Sequence, residues 1–323
     1  MKKVLALSLV LTLMLAFGAV VCAASIRSVM VTDVGGLGDQ SFNDAAWRGL
    51  CRAEEELGVS VGVVESSMMT DYEPNLSNLA ESGADLIWAV GFLMTDAVDN
   101  IAPLYPDIKF GLIDAVVDHP NVASFTFKDH EASYLAGVFA ALWSETGKIG
   151  FIGGMDVPVI ERFESGFRAG VKATNPDAEI LIGYAGNFND PGKGKELALT
   201  QYNQGADIIY HAAGATGLGL IEAAKEVDKY AIGVDSDQTV LDPEHVVASM
   251  LKRVDNAVFT GVKDLIDGEF VATHRELGLA EAGVGLAYSQ GIEIPASIRE
   301  QVEEVKRALV EGEIVVPGTR AEL

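Results

Sequence analysis

Carboxylates, glycines and aromatic side chains recur in this sequence directly after short apolar runs. Asp33 follows SVMVT, Phe92 follows LIWAVG, Asp114 follows KFGLI and Asp235 follows AIGV. Gly153 to Asp156, with Met155 among them, follow IGFI; Asn187 and Phe188 follow ILIGYAG, and Gly214 follows IIYHAA. If each run is a strand of an open parallel sheet, these positions are the carboxyl ends, where ligands of such sheets bind. Carboxylates accept hydrogen bonds from ligand hydroxyl or amino groups, glycines let backbone amides approach, and aromatic faces stack on flat rings. Any one of these residues also serves as an ordinary turn or helix cap. Their shared placement is what points to a site for a polar, ring-bearing molecule.

Catalytic motifs are incomplete by comparison. GGLGDQS, from Gly35 to Ser41, approaches a dinucleotide fingerprint, but Ser41 stands where the third glycine belongs and no acidic strand end follows at the required distance. TGKI at Thr146 and DPGKGK at Asp190 lack the remaining elements of a phosphate-binding loop. The sequence contains neither GxSxG nor HExxH. Asp235-Ser236-Asp237-Gln238-Thr239, directly after a strand, matches the DxDxT signature of phosphoaspartate-forming phosphatases. That chemistry needs one aspartate as nucleophile, a second as acid/base, and Mg²⁺ held by further carboxylates. Here the motif arrives near the end of the chain, so a hydrolase stands as the alternative rather than the main expectation. His119, His130, His211, His245 and His274 lack metal-ligand spacing, and His211 alone falls at a strand end facing the expected cleft. No metal and no cofactor is expected.

The elements that must position these residues alternate regularly. Strand candidates cover residues 28–32, 59–64, 86–90, 110–113, 149–152, 180–184, 208–211 and 231–234; helical candidates between them include 43–57, 76–82, 132–143, 163–173, 193–204 and 219–227. Strands alternating with helices imply parallel sheets covered on both faces, and their continuous rather than alternating apolar character agrees. The pattern occurs in two sets, before and after about Phe125, each ending in a comparable strand followed by Asp. The expected fold class is α/β, with two similar doubly wound parallel-sheet lobes joined by a hinge. Residues 25–125 with 239–287 are expected to form the N-terminal lobe and 126–238 with 288–323 the C-terminal lobe. Hinge crossings are placed near Ser124 to Phe127, Asp235 to Thr239 and Ala287 to Gln290.

The chain starts with Lys2 and Lys3, an apolar run from Val4 to Val21, and the small residues Cys22, Ala23 and Ala24, the order of a secretory signal peptide. Residues 1–24 are therefore expected to be removed, leaving an exported, periplasmic or otherwise extracytoplasmic protein; lipidation of Cys22 would tether it to the membrane surface. The remaining Cys51 permits no internal disulfide and no cysteine metal cluster. A formal net charge of −24 repels phosphate backbones and argues against a nucleic-acid partner. A monomer is expected.

Several segments resemble one family. TDVGGLGDQSFNDAAWRGL from Thr32, AVGFLMTDA from Ala89, FGLID from Phe110, IGFIGGMDVPVIERFESGFRAG from Ile149, GNFNDPGKGKELA from Gly186, AAGATGLG from Ala212, and IGVDSDQ with ASMLKRVD up to Asp255 are similar to the basic membrane protein family. These are nucleoside-binding substrate proteins of ABC importers, akin to the purine nucleoside receptor A lipoproteins. The resemblance covers nearly the whole chain after the leader. It implies a type I periplasmic-binding fold with the ligand between two lobes, and ABC permease subunits as partners. By that analogy Asp33 and Asp114 contact the base edge, Phe42 stacks on the base, and Asp235 with Lys252 holds the ribose hydroxyls. A second aromatic face comes from Phe163, Phe188 or Tyr210. The full candidate set is Asp33, Ser41, Phe42, Asn43, Phe92, Asp114, Met155, Phe163, Tyr210, Gly214, Asp235 and Lys252. Some relatives bind other ring compounds, flavins included, and a nucleoside hydrolase joins the phosphatase as the enzymatic alternative.

Overall fold

The computed structural model describes residues 26–323. The expected leader and Cys22 lie outside the described residues. Twelve strands and nine α-helices follow in chain order among those described: β1 (Arg27–Thr32), α1 (Phe42–Leu57), β2 (Ser60–Val64), α2 (Tyr72–Glu81), β3 (Leu86–Val90), α3 (Thr95–Ile101), β4 (Lys109–Ile113), β5 (Val122–Phe127), α4 (Asp129–Trp143), β6 (Lys148–Gly153), α5 (Pro158–Thr174), β7 (Glu179–Tyr184), α6 (Pro191–Asn203), β8 (Ile208–Ala212), α7 (Thr216–Val227), β9 (Tyr230–Asp235), β10 (Val246–Lys252), α8 (Val254–Ile266), β11 (His274–Leu277), β12 (Val284–Tyr288) and α9 (Ala296–Val310).

Two six-stranded sheets form, in the orders β11-β5-β4-β3-β1-β2 and β12-β10-β9-β8-β6-β7. All pairs are parallel except β10 with β12. The central strands are apolar on both faces because helices cover both: β3 is buried at all five positions and β8 likewise. Helix α1 shows why such helices dock. Ala45, Gly49 and Ala53, with Ala46 and Leu50, are all buried and fall at the three- and four-residue spacing of one helical face. Gly49 is required there, since a Cβ would stand 2.4 Å from the backbone oxygen of Asp255 in α8. Gly58, with φ 71°, ends the helix and donates its N–H to Glu54 O.

The two strand orders superpose: β4 corresponds to β9, β5 to β10, and β11 to β12. Two lobes of one design therefore face each other, as expected. The expected boundaries need correction. β10 pairs with β9, so residues 239–252 belong with the second sheet rather than the first, and the second crossing runs from Lys252 to Val254 instead of through residues 235–239. The third crossing spans Leu277 to Val284, because β12 pairs with β10 and so belongs wholly to the second lobe. The first lies between Phe127 and Asp129, and Ser124 to Phe127, expected as a connection, belong to a fully buried strand, β5. The physical reason is common to all three. A short apolar segment fits either sheet, and only its long-range partner decides which.

Candidate functional site

Between the lobes lies a cavity with an empty volume of about 600 Å³, its solvent-open mouth included. The tips of both sheets line it, as the carboxyl-end rule requires.

The first lobe contributes Asp33 after β1, Gly91 and Phe92 after β3, Asp114 after β4, and Phe42 and Asn43 at the start of α1. Asp33 Oδ1 accepts from Gly35 N and Asn43 Nδ2, both at 2.9 Å. Burial nevertheless raises its carboxyl to about 6, against these lowering bonds. Asp39 also reaches the cavity, a residue absent from the sequence-derived candidates. It caps α1, accepting from the backbone N–H of Ser41 (2.9 Å), Asn43 (2.8 Å) and Asp44 (3.1 Å). The Asp-x-Ser-x-Asn spacing is the signal that was available for it.

The second lobe contributes Val157, Ile160 and Phe163 around the start of α5, Phe188 after β7, Gly214 after β8, Asp235 at the end of β9 and Lys252 at the end of β10. Gly154 lets Phe188 lie against the β6 tip, since a Cβ there would be 2.3 Å from its ring.

Asp114 and Asp235 occupy corresponding places in the two lobes, and both adopt left-handed backbone conformations, φ 71° and 61°. Non-glycine residues rarely hold such angles, and where they do the strain commonly accompanies function.

Lys252 sits at the centre of the charge. Its Nζ is 2.7 Å from Asp114 across the lobe boundary and 3.2 Å from Asp129, and only 1% of its side chain is exposed. The rings of Phe42, Phe127 and Phe163 surround it with centroids at 5.1–5.3 Å. Burial alone lowers the ammonium's pKa, but attraction to Asp114, Asp129 and Asp235 outweighs that and raises it, so the cation persists. Burial pushes Asp235 up to about 7, opposed by Lys252 and by the hydroxyl of Ser41. Near neutrality Asp235 thus exchanges between acid and carboxylate, able either to donate to or accept from a bound hydroxyl.

Of the twelve expected residues, the structure brings Asp33, Phe42, Asn43, Phe92, Asp114, Phe163, Gly214, Asp235 and Lys252 to the cavity wall. Three stand elsewhere. Ser41 is fully buried behind the wall, bonded to Asp235. Met155 is half-buried in the β6 to α5 turn and outside the lining. Tyr210 is a correction: it is buried within β8, two residues short of the tip, packed on Phe151 and Phe167 with its hydroxyl 3.1 Å from Ser133 Oγ. His211 also lies inside, its Nε2 2.9 Å from Gln238 Oε1, and burial lowers its pKa to about 4.

The DSDQT segment is engaged otherwise than in a phosphatase. Asp237 Oδ1 accepts from Thr239 N (3.1 Å) and Thr239 Oγ1 (2.6 Å), capping a single 3₁₀ turn, while Asp235 points to Ser41. Among the described residues, no group of three or more His, Cys, Asp or Glu side chains stands in metal-holding arrangement.

A family model described as ABC transporter substrate-binding protein PnrA-like matches residues 26–319. The chain is 39% identical over 311 residues to the CD4+ T-cell-stimulating antigen of Listeria monocytogenes, covering 89% of this chain and 87% of that protein. It is 36% identical over 316 residues to the ABC transporter nucleoside-binding protein BmpA of Lactococcus lactis subsp. cremoris, covering 91% and 89%. The crystal structure of an ABC transporter system solute-binding protein from Aeropyrum pernix K1 matches with a TM-score of 0.84 at 35% identity, covering 92% of this chain and 95% of that one.

Proposed function

This chain belongs to the Bmp family, the PnrA-like substrate-binding proteins of ABC transporters, and from that premise we propose that it captures a nucleoside between its lobes, outside the cytoplasmic membrane, and delivers it to the permease. The observation that carries this reading is the pairing within one cavity of aromatic faces from opposite lobes, Phe42 and Phe188, with the polar group of Asp33, Asp114, Asp235 and Lys252. A flat base would stack on these rings, each stacking contact contributing about 1–3 kcal/mol. Asp235 and Lys252 suit a ribose diol, one accepting and the other donating. Asp33 suits the donor groups of a base edge.

Closure strengthens these bonds by excluding water, and a ligand lacking the hydroxyls leaves buried polar groups unpaired. The name of the Lactococcus lactis relative supports the nucleoside assignment. The leader-like sequence at the start of the chain supports export. Among the described residues, no helix is long and apolar enough to cross a membrane.

Titration calorimetry of the leaderless protein against inosine, guanosine, adenosine, uridine, riboflavin and ribose tests the proposal. One-to-one saturation by a nucleoside, with ribose far weaker, is the expected result. Saturation by riboflavin or a sugar alone would reassign the ligand, and appearance of free base during incubation would favour the hydrolase alternative.

A further inference from the structure

The contacts between the lobes differ greatly in leverage: besides the Lys252–Asp114 pair at a crossing itself, they fall into a near group and a distant one. Near the crossings, the segment 234–238 meets the start of α1. Ser41 Oγ donates to Asp235 Oδ2 (2.5 Å), Ser236 Oγ to Ser41 O (2.9 Å), Gln238 Nε2 to Gln40 O (3.2 Å) and Arg48 Nη2 to Ser236 Oγ (2.7 Å). Far from the crossings, among the described residues, one side-chain bond spans the cleft: Asn189 Nδ2 donates to Val34 O at 2.9 Å.

Strand order gives the lever arms. Asp235 ends β9, which is adjacent to β10 and its crossing. Asn189 follows β7, four strands from β10, and Val34 follows β1, three strands from β5. At about 4.8 Å between strands, the Asn189 contact lies roughly 15–20 Å out. A rotation about the crossings that barely stretches the Ser41–Asp235 pair moves Asn189 off Val34 several times further.

Both ends of this contact are anchored in their own lobes. Asn187 Oδ1 accepts from Thr216 Oγ1 (3.1 Å), Thr216 N donates to Phe188 O (3.1 Å) and Asp190 N donates to Thr216 Oγ1 (2.9 Å), which fastens the loop carrying Asn189 to the start of α7. Opposite, Val34 N donates to Tyr72 Oη at 3.2 Å. A bond between two anchored groups is either made or broken as the lobes move, with little scope for following by loop motion. Asn189 is also next to Phe188, which walls the cavity, while its own exposed side chain lies outside the lining.

We propose that Asn189 is a positioning residue that latches the mouth of the cleft and sets the residence time of the ligand, without contributing to the encounter that loads it. The ligand-holding part of this rests on the nucleoside reading above; the latch itself does not. Affinity then responds through the population of the closed state and through escape from it.

The test uses Asn189→Ala and Asn189→Asp, the second placing a carboxylate against the Val34 carbonyl oxygen. Stopped-flow binding of inosine and adenosine should show dissociation faster by roughly three- to tenfold in Asn189→Ala, the factor of one ordinary net hydrogen bond. Asn189→Asp should be at least as fast, with association rates within about twofold of the parent and thermal unfolding of the ligand-free protein unchanged. Unaltered dissociation, or a change confined to association, overturns the latch. In parallel, spin labels on cysteines at Glu73 and Glu222, in a Cys51→Ala background, report the interlobe distance without ligand. A shift to longer distances in Asn189→Ala supports the latch, and identical distributions overturn it. If the parent binds none of inosine, adenosine, guanosine and uridine, the functional reading fails while the distance measurement still decides the latch.

Discussion

Ser41, immediately before α1, donates its hydroxyl to Asp235 at the end of β9, 2.5 Å away in the other lobe. This bond ties the cavity's most perturbed carboxyl to the first turn of a helix whose next residue, Phe42, walls the same cavity. Ser41→Ala should therefore weaken nucleoside binding several-fold by loosening Asp235, and should raise the Asp235 pKa further, since the hydroxyl bond lowers it. Calorimetry over a pH series checks both, and an unchanged profile contradicts the coupling.

Asp235→Ala should weaken binding by more than tenfold while leaving thermal stability nearly intact. Burial already penalises the charged form of this side chain, so its loss removes a ligand partner and little folding energy. Unchanged affinity in the calorimeter would remove Asp235 from the site.

Phe42→Ala and Phe188→Ala should each cost about 1–3 kcal/mol of affinity for a nucleoside and almost none for ribose. The two losses should be less than additive, because a base released on one face rests poorly on the other. Competition binding with nucleoside and free ribose separates the effects; equal losses for both ligands would argue against stacking.

Lys252→Met should abolish binding and also destabilise the fold, by an amount on the order of 3–5 kcal/mol, because Asp114 and Asp129 would be left buried without their shared cation. Denaturant unfolding at pH 8 gives the decisive comparison. Equal stability of variant and parent there would contradict the central role assigned to the lysine.

The ligand-free protein should lose stability as pH rises from about 4 to about 7. Asp33 and Asp235 have folded-state values near 6 and 7, above the ordinary carboxyl value of 3.8. Between those limits the folded state binds more protons than the unfolded state, so stability falls with increasing pH, by a total on the order of a few kcal/mol. Asp242 and Asp255, whose values are lowered, contribute the opposite slope below about pH 4. Nucleoside affinity should move the other way and strengthen through neutrality, as Asp235 becomes an acceptor. Chemical unfolding at pH 4.5 and 7.5 tests the first statement. Its sign should reverse or flatten in the Asp33→Asn, Asp235→Asn double variant.

The alternation of apolar runs and helical stretches was enough to define the α/β class and the two-lobed plan. Strand tips could be read as site positions because parallel sheets place ligands there whatever the sequence between. Asp33, Asp114 and Asp235 were legible on those grounds, since each follows or ends a strand, whereas Phe42 and Lys252 were offered by the resemblance alone. Lobe membership was not legible for residues 239–252 or 284–287. The pairing of β10 with β9 and of β12 with β10 is a long-range choice that no local pattern records. Tyr210 was misplaced for a related reason, as two residues along a strand separate the cavity from the core. The Lys252–Asp114 ion pair, the Ser41–Asp235 bond and the Asn189 bridge were likewise decided only in three dimensions, because each joins groups remote in sequence through the closing of one lobe on the other.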